Sequence, residues 1–525
     1  MSTRGALGVS LIAALALLAT ACASGSAAHA TADDPGPALA STQAEDASAA
    51  VASTSPSDAG AAVVVSDDGA ASLGDDADVS GEASTSNEDA ASPPSIGGPA
   101  VACDDTTSGV YVTPAGLPAM TMDARGAIVR CAFDSTLSLS DAASQLATAS
   151  DTGVTATSGA TVYRIAYRTY REDGVAGVST ARVYLPTTPR ALPLPIIAVA
   201  HSTVGLAPSC APSEDPTSLE NLALPWAANG YAVIATDYAG LGNEGIQGYA
   251  ANHDQAHSLL DSVRALRALV DPRALGDQVL LVGYSQGGGA ALAAQGLAGS
   301  YGAGGNVVAV IVFAAEYFSR LDSFSYVTNM SNPTALTITT GISMPVVAAM
   351  RDYAFGYNVV GTSSATATFP ASLQSGMQTA IESLCQTPFG GYLQGAAPHV
   401  GDIYDPTFSA GFLACVNGTS GCTGLGSTLY DWMTADLVPP DPAGAPVLYI
   451  QGLADIIMPP AQEAACNIQS LQSAGVSVQV CVDAPAQHTN VPQRNAAFAL
   501  QWGLAKLGGG DLPTCSSTGM PACSP

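Results

Sequence analysis

A chain of 525 residues is long enough for two or three average domains, or for one large α/β domain carrying insertions. Hydrophobic residues make up 47% of it and the mean hydropathy is +0.26, so a sizeable core can be buried. Against 43 acidic residues stand only 15 basic ones; the formal charge of −28 excludes nucleic acid, whose phosphates need a basic face, and disfavours an anionic membrane surface.

The first 22 residues read as an export signal. Arg4 gives the positive start, Leu11 to Leu18 form an apolar core too short for an ordinary transmembrane helix, and small residues follow. Ala19-Thr20-Ala21-Cys22 resembles a bacterial lipobox, in which Cys22 would become the lipidated first residue, although Ala19 stands where leucine is usual. Ordinary cleavage after Ala21 or Ala30 fits a small-x-small site as well. The expected location is thus the cell envelope, with membrane contact through a lipid anchor, or otherwise the exterior. Residues 23–102 are rich in Ala, Ser and Asp and carry no Lys or Arg, a composition that predicts a disordered linker. Eleven cysteines fit an oxidising compartment; setting Cys22 aside leaves ten, enough for five bridges. Cys415 with Cys422 and Cys515 with Cys523 could each close a short loop, and other pairings stay open. None has C-x-x-C spacing, which argues against a structural metal, and no cofactor is implied.

From residue 103 to the end the texture becomes that of a folded domain. Strand-like runs occur at Tyr163–Thr169, Thr180–Leu185, Pro195–Ala200, Tyr231–Thr236, Gln278–Val282, Val307–Phe313, Pro446–Ile450 and Val476–Val482. Several are nearly continuous apolar runs, as strands covered on both faces require. Between two of them, Leu259, Leu260, Val263, Leu266 and Val270 keep helical spacing, and Pro272 follows. Such alternation predicts an α/β fold with a doubly wound, mostly parallel sheet. It breaks from about 315 to 445, a stretch of aromatics, Met and Gly that reads as an insertion folded over the sheet, a cap or lid, or else as a small separate domain.

The chemistry concentrates in Gly283-Tyr284-Ser285-Gln286-Gly287, directly after a strand and before a small-residue helix. This is the context of a nucleophile elbow, where a sharp turn lifts a serine hydroxyl above the sheet edge and needs tiny residues two before and two after. A serine needs a base, and the base an orienting carboxylate, in the order Ser, acid, His. Of the six histidines only His399 and His488 follow Ser285. His488 comes after the last strand and before the amphipathic stretch Gln493–Leu507, so it is the expected base, and His399 a residue of the insertion. Asp455, past the end of Val447–Ile450, is the expected acid; Asp483 ends the histidine's own strand and Asp441 precedes the wrong edge. Two backbone amides should receive the oxyanion: Gln286, after the nucleophile, and Thr203, in His201-Ser202-Thr203-Val204-Gly205 after an earlier strand. His201 and Asp237 read as structural.

These segments resemble the secretory lipase family, the fungal lipase A-like enzymes and their bacterial relatives. His201–Gly205 with Cys210-Ala211-Pro212-Ser213 is similar to that family's H-G-T-x-G…C-A-P-S signature, Asp237–Gly242 to its D-Y-x-G-L-G, and Gly283–Gly288 to its G-[HY]-S-Q-G-G elbow. The resemblance runs over roughly residues 105 to 508 and departs at Ser202, where the family has glycine. It implies an α/β-hydrolase core, a cap inserted after the nucleophile helix, and hydrolysis of small-molecule or lipid carboxylic esters through an acyl-serine. It also implies that Cys210 is disulfide-bonded, preferably to Cys385. Competing readings keep the triad but make the chain an acyltransferase or peptidase, or make it a catalytically silent binding protein on the same fold.

Overall fold

The structure is a computed structural model and describes residues 96–524, apart from 150–152, 173, 220, 318–334 and 339–340. The export signal, Cys22 and nearly all of the linker expectation lie outside the described residues. Among those described, nine strands form one sheet: β1 (Ile128–Leu137), β2 (Ala160–Tyr170), β3 (Ala176–Pro186), β4 (Leu194–Ala200), β5 (Ala232–Ala239), β6 (Leu275–Tyr284), β7 (Asn306–Phe313), β8 (Val447–Gly452) and β9 (Val478–Asp483), in the order β1-β2-β3-β5-β4-β6-β7-β8-β9. From β5 across to β9 every pairing is parallel, whereas β1, β2 and β3 pair antiparallel with one another and β3 with β5.

The parallel half follows from side-chain alternation. Ile196, Ala198 and Ala200 of β4, Val279 and Leu281 of β6, and Val447 and Tyr449 of β8 enter one core. Their neighbours Ile197 and Val199, Leu280 and Val282, and Leu448 and Ile450 enter the core on the opposite face. With both faces covered, both sets must be apolar, which produces continuous apolar runs. β1 escaped the sequence reading because it is an edge strand with charge in it: Arg164 and Arg182 each reach its Asp134 at 2.6 Å.

Helix α1 (Leu139–Thr148) follows β1, capped where Ser138 accepts from the Asp141 N–H, and α2 (Leu224–Ala227) precedes β5. Helices α3 (Asn252–Leu269) and α4 (Gln286–Tyr301) cover one face of the sheet. Between β7 and β8 lie α5 (Met344–Val360), α6 (Gln374–Ser383), α7 (Gln386–Ala396), α8 (Pro406–Val416) and α9 (Gly424–Ala435). This inserted stretch builds a second core with Leu206, Ile246, Tyr249 and Met458 of the flanking loops, in which Tyr353, Phe369, Tyr404, Phe408 and Phe412 follow one another with centroids 5.7 to 6.4 Å apart. After β8, α10 (Ala464–Ser473) joins the face of α3 and α4, and α11 (Val491–Lys506) packs with α2 on the other through Trp502 and Trp226.

Ten cysteines form five disulfides: Cys103–Cys131, Cys210–Cys385, Cys415–Cys422, Cys466–Cys523 and Cys481–Cys515. The short loop at Cys415 and the link from Cys210 into the insertion are as expected. A Cys515–Cys523 loop is not formed. The C-terminal tail runs alongside β9, with the Val482 N–H donating to the Ser516 carbonyl, and then reaches α10, where Ser524 N–H donates to Ala461. Each of its cysteines therefore meets a partner on a different element.

Candidate active site

The site collects at the carboxyl ends of β4, β6, β8 and β9, where β4 has β5 on one side and β6 on the other and the winding reverses. Ser285 stands between β6 and α4 with φ of 54° and ψ of −118°, a conformation that costs a non-glycine residue about 1–3 kcal/mol. Three backbone bonds hold it: its N–H donates to Phe313, and its carbonyl accepts from Gly289 and Glu316 at 3.1 and 2.9 Å. The flanking glycines are required by contact. A Cβ on Gly283 would lie 2.0 Å from the Gly287 carbonyl oxygen, and one on Gly287 2.0 Å from that of Ala200.

His488 Nε2 lies 3.0 Å from Ser285 Oγ, and its Nδ1 lies 2.8 Å from Asp455 Oδ2. With Nδ1–H donating to the carboxylate, Nε2 carries the lone pair and accepts from the serine hydroxyl. Asp455 is fixed in turn: its Oδ1 accepts from the N–H groups of Ile457 and Met458 at 2.9 and 2.8 Å, and Gln451 Nε2 donates to Oδ2 at 3.2 Å. Tyr284 donates to the His488 carbonyl at 2.7 Å and lies against the imidazole. Ser285, Asp455 and His488 are all 5% exposed or less.

Gln286 opens α4, so its N–H has no carbonyl a turn earlier in the helix to bond and stands next to Ser285 at the positive end of the helix. Thr203 is buried in the loop after β4, and with Ser202, Ser285 and His488 it lines a cavity of about 200 Å³, closed in part by Ile342 and Gln386 from the inserted segment. Its hydroxyl is taken by Tyr249 at 2.8 Å. His201 is fully buried, with Nδ1 2.5 Å from the Ser202 carbonyl and Nε2 3.4 Å from that of Asp237, only one of which a neutral ring can donate to, and burial pulls its pKa down to about 4. It is a neutral packing histidine. Asp237 accepts from Thr180 and from the N–H and hydroxyl of Ser213, and burial pushes its carboxyl up to about 7. It braces the Cys210–Ser213 segment.

The remaining candidates lie elsewhere. Asp483 pairs with Arg494 at 2.8 Å, Asp441 bonds the Ala443 N–H, and His399 forms a surface pair with Asp402 at 2.9 Å. The sequence reading missed Gln247, Tyr249 and Glu316, buried polar residues that reach the site through side chains and belong to no motif. Among the described residues no group of three or more His, Cys, Asp or Glu side chains could hold a metal ion.

Comparison with known proteins follows the same lines. The family model for secretory lipases matches residues 217–315, which span β5 to just past β7 and include the elbow. The ligand-bound rice cell wall degrading esterase LipA from Xanthomonas oryzae is 19% identical, with a TM-score of 0.56 over 72% of this chain and 94% of that one. Candida antarctica lipase A in its closed state is 18% identical, with a TM-score of 0.54 over 76% of this chain and 88% of that one. A putative hydrolase from Legionella pneumophila is 19% identical, with a TM-score of 0.53 over 71% and 95%. No curated protein matches the chain. The fold is thus that of the α/β-hydrolases, and through the elbow region the chain is similar to the secretory lipase family.

Proposed function

We propose that the protein is a carboxylic ester hydrolase of the lipase and esterase kind, acting through an acyl-Ser285 intermediate. The observation that carries this reading is the unbroken line Ser285 Oγ, His488 Nε2, His488 Nδ1, Asp455 Oδ2 at 3.0 and 2.8 Å on the elbow of an α/β-hydrolase fold. Ser285 Oγ attacks the ester carbonyl carbon as His488 Nε2 takes its proton. The tetrahedral oxyanion accepts from the Gln286 and Thr203 amides, and Asp455 stabilises the imidazolium. His488 then returns the proton to the leaving alcohol. Water, deprotonated by the same nitrogen, releases the acid and regenerates the serine.

Export belongs to the same reading. The five disulfides use every cysteine except Cys22, in keeping with an oxidising compartment and with a lipid on the odd one. Palmitate labelling of the expressed chain that disappears in C22A tests the anchor.

The catalytic reading is tested by hydrolysis of p-nitrophenyl esters from acetate to palmitate, comparing the full chain with S285A. Loss of at least about 10⁴-fold in kcat is expected. A variant that keeps the parent rate, or a folded parent inactive on every ester, rejects it and favours the silent binding protein. Added alcohols that divert the acyl group faster than water would make it an acyltransferase.

A further inference from the structure

Two side-chain bridges join the nucleophile elbow to the Thr203 loop, and both pass through residues 247–249, on the connection between β5 and α3. In the first, the Gln286 side-chain Nε2 donates to Gln247 Oε1 at 3.2 Å and the Gln247 Nε2 donates to the Gly205 carbonyl at 2.7 Å. In the second, Tyr249 Oη lies 2.8 Å from Thr203 Oγ1 and donates to Glu316 Oε2 at 3.4 Å, while the Glu316 N–H donates to the Ser285 carbonyl at 2.9 Å. Gln247 and Tyr249 are wholly buried and Glu316 is 3% exposed.

We propose that Gln247, Tyr249 and Glu316 are positioning residues that fix the separation between the Gln286 and Thr203 amides and so keep the oxyanion hole assembled before substrate arrives. The proposal rests on the ester hydrolase reading and on Thr203 as the second donor. The physical need is clear. Oxyanion donors act only within about 2.7–3.1 Å of the developing charge, and a misplacement of about 1 Å can cost roughly 10²-fold in rate. The backbone of the Thr203 loop is bonded away from the elbow: its Val204 carbonyl accepts from Gln386 of the inserted segment. Backbone contact fixes the two segments as far as His201, where Ala200 pairs with Gly283 and the Ala200 and His201 carbonyls press on Gly287; beyond it, side chains add the constraint on where Thr203 sits relative to Gln286. The arrangement carries a cost that packing alone would avoid. Glu316 Oε1 and Gln286 Oε1 are buried without a hydrogen-bond partner among the described residues, and each such atom gives up its hydration without recompense. Burial also pushes Glu316 up to about 7, with Arg351 of α5 drawing it back.

The test uses the full chain and p-nitrophenyl butyrate, with Q247L, Y249F, the double variant, E316Q, E316L and S285A. Each of Q247L and Y249F is expected to lower kcat about 10- to 100-fold with KM changed less than about threefold, since the hole acts on the transition state. The inhibition constant of a trifluoromethyl ketone, whose adduct carries the same oxyanion, should rise in proportion. E316Q keeps an acceptor for Tyr249 and should stay within about threefold of the parent, whereas E316L should fall to the level of Y249F. Thermal unfolding separates these effects from misfolding, because the conservative Y249F and E316Q remain folded. Parent-like kcat in both Q247L and Y249F, or equal losses in E316Q and E316L, overturns the proposal while an inactive S285A leaves the hydrolase intact. An S285A variant as fast as the parent instead removes the reading beneath it.

Discussion

On the elbow side of the site, contact between backbones does the holding: Gly283 and Gly287 leave no room for a Cβ, and three main-chain bonds grip Ser285. On the facing side the Thr203 loop is held by side chains, namely Gln247, Tyr249 and the Cys210–Cys385 disulfide. The difference teaches how each side should fail. A structure fixed by sterics tolerates no change at all, whereas one fixed by several side chains loses function in steps.

The sharpest test of the contrast is G287A. Its Cβ would sit 2.0 Å from the Ala200 carbonyl, so the variant should lose about 3 kcal/mol or more of stability and all esterase activity. Urea denaturation checks this, and a stable, active G287A would break the steric account. Next is D455N, expected to keep its stability but to lose roughly 10⁴-fold in kcat through the wrong imidazole tautomer. D483N, whose carboxylate faces Arg494, should change kcat by less than about threefold. A loss of similar size in both would reassign the acid. On the facing side, C210S/C385S should lose about 2–5 kcal/mol and about tenfold in kcat, while C103S/C131S, remote from the site, should affect stability alone. Equal kinetic effects of the two pairs would erase the distinction between the sides.

The smallest effect concerns pH. Burial raises the Glu316 carboxyl from 4.5 to about 7, so the folded chain holds a proton that the unfolded chain has already released. The stability linked to that proton is complete below 4.5 and is lost as pH rises through about 7. E316Q removes this loss, so its stability relative to the parent should grow by roughly 1–3 kcal/mol between about pH 5 and about pH 8. Asp237, raised in the same direction, is present in both proteins and cancels. Urea unfolding at the two pH values checks the sign, and a constant difference would show that Glu316 does not titrate in this range.

The same contrast explains what could be read from the sequence. Constraints written in a few adjacent residues were legible: the elbow glycines, the order of Ser285, Asp455 and His488, and the alternating apolar strands of the parallel half. Gln247 and Glu316 were not, because their partners lie far off in the chain and a lone buried amide or carboxylate has no period. The inserted helices hid for a related reason. Their aromatic core draws Tyr353 from α5, Phe369 and Tyr404 from connecting segments and Phe408 and Phe412 from α8, so most of it lies on no common helical stripe. β1 hid behind its charges, and the tail cysteines behind a path that only the folded chain reveals.

The disulfide between Cys210 and Cys385 lies beside the bond from the Gln386 N–H to the Val204 carbonyl. Together they fasten the inserted segment to the loop of Thr203 at one point. The segment is tied down elsewhere too: Asp436 accepts from the Asn252 and His253 N–H groups, and Asn358 from Arg171. On the ester hydrolase reading, a movement of the insertion at the Cys210–Cys385 link would pull on Val204 and Gly205 and shift Thr203, the proposed oxyanion donor. On that reading, the set of the insertion and the readiness of the oxyanion hole are mechanically joined.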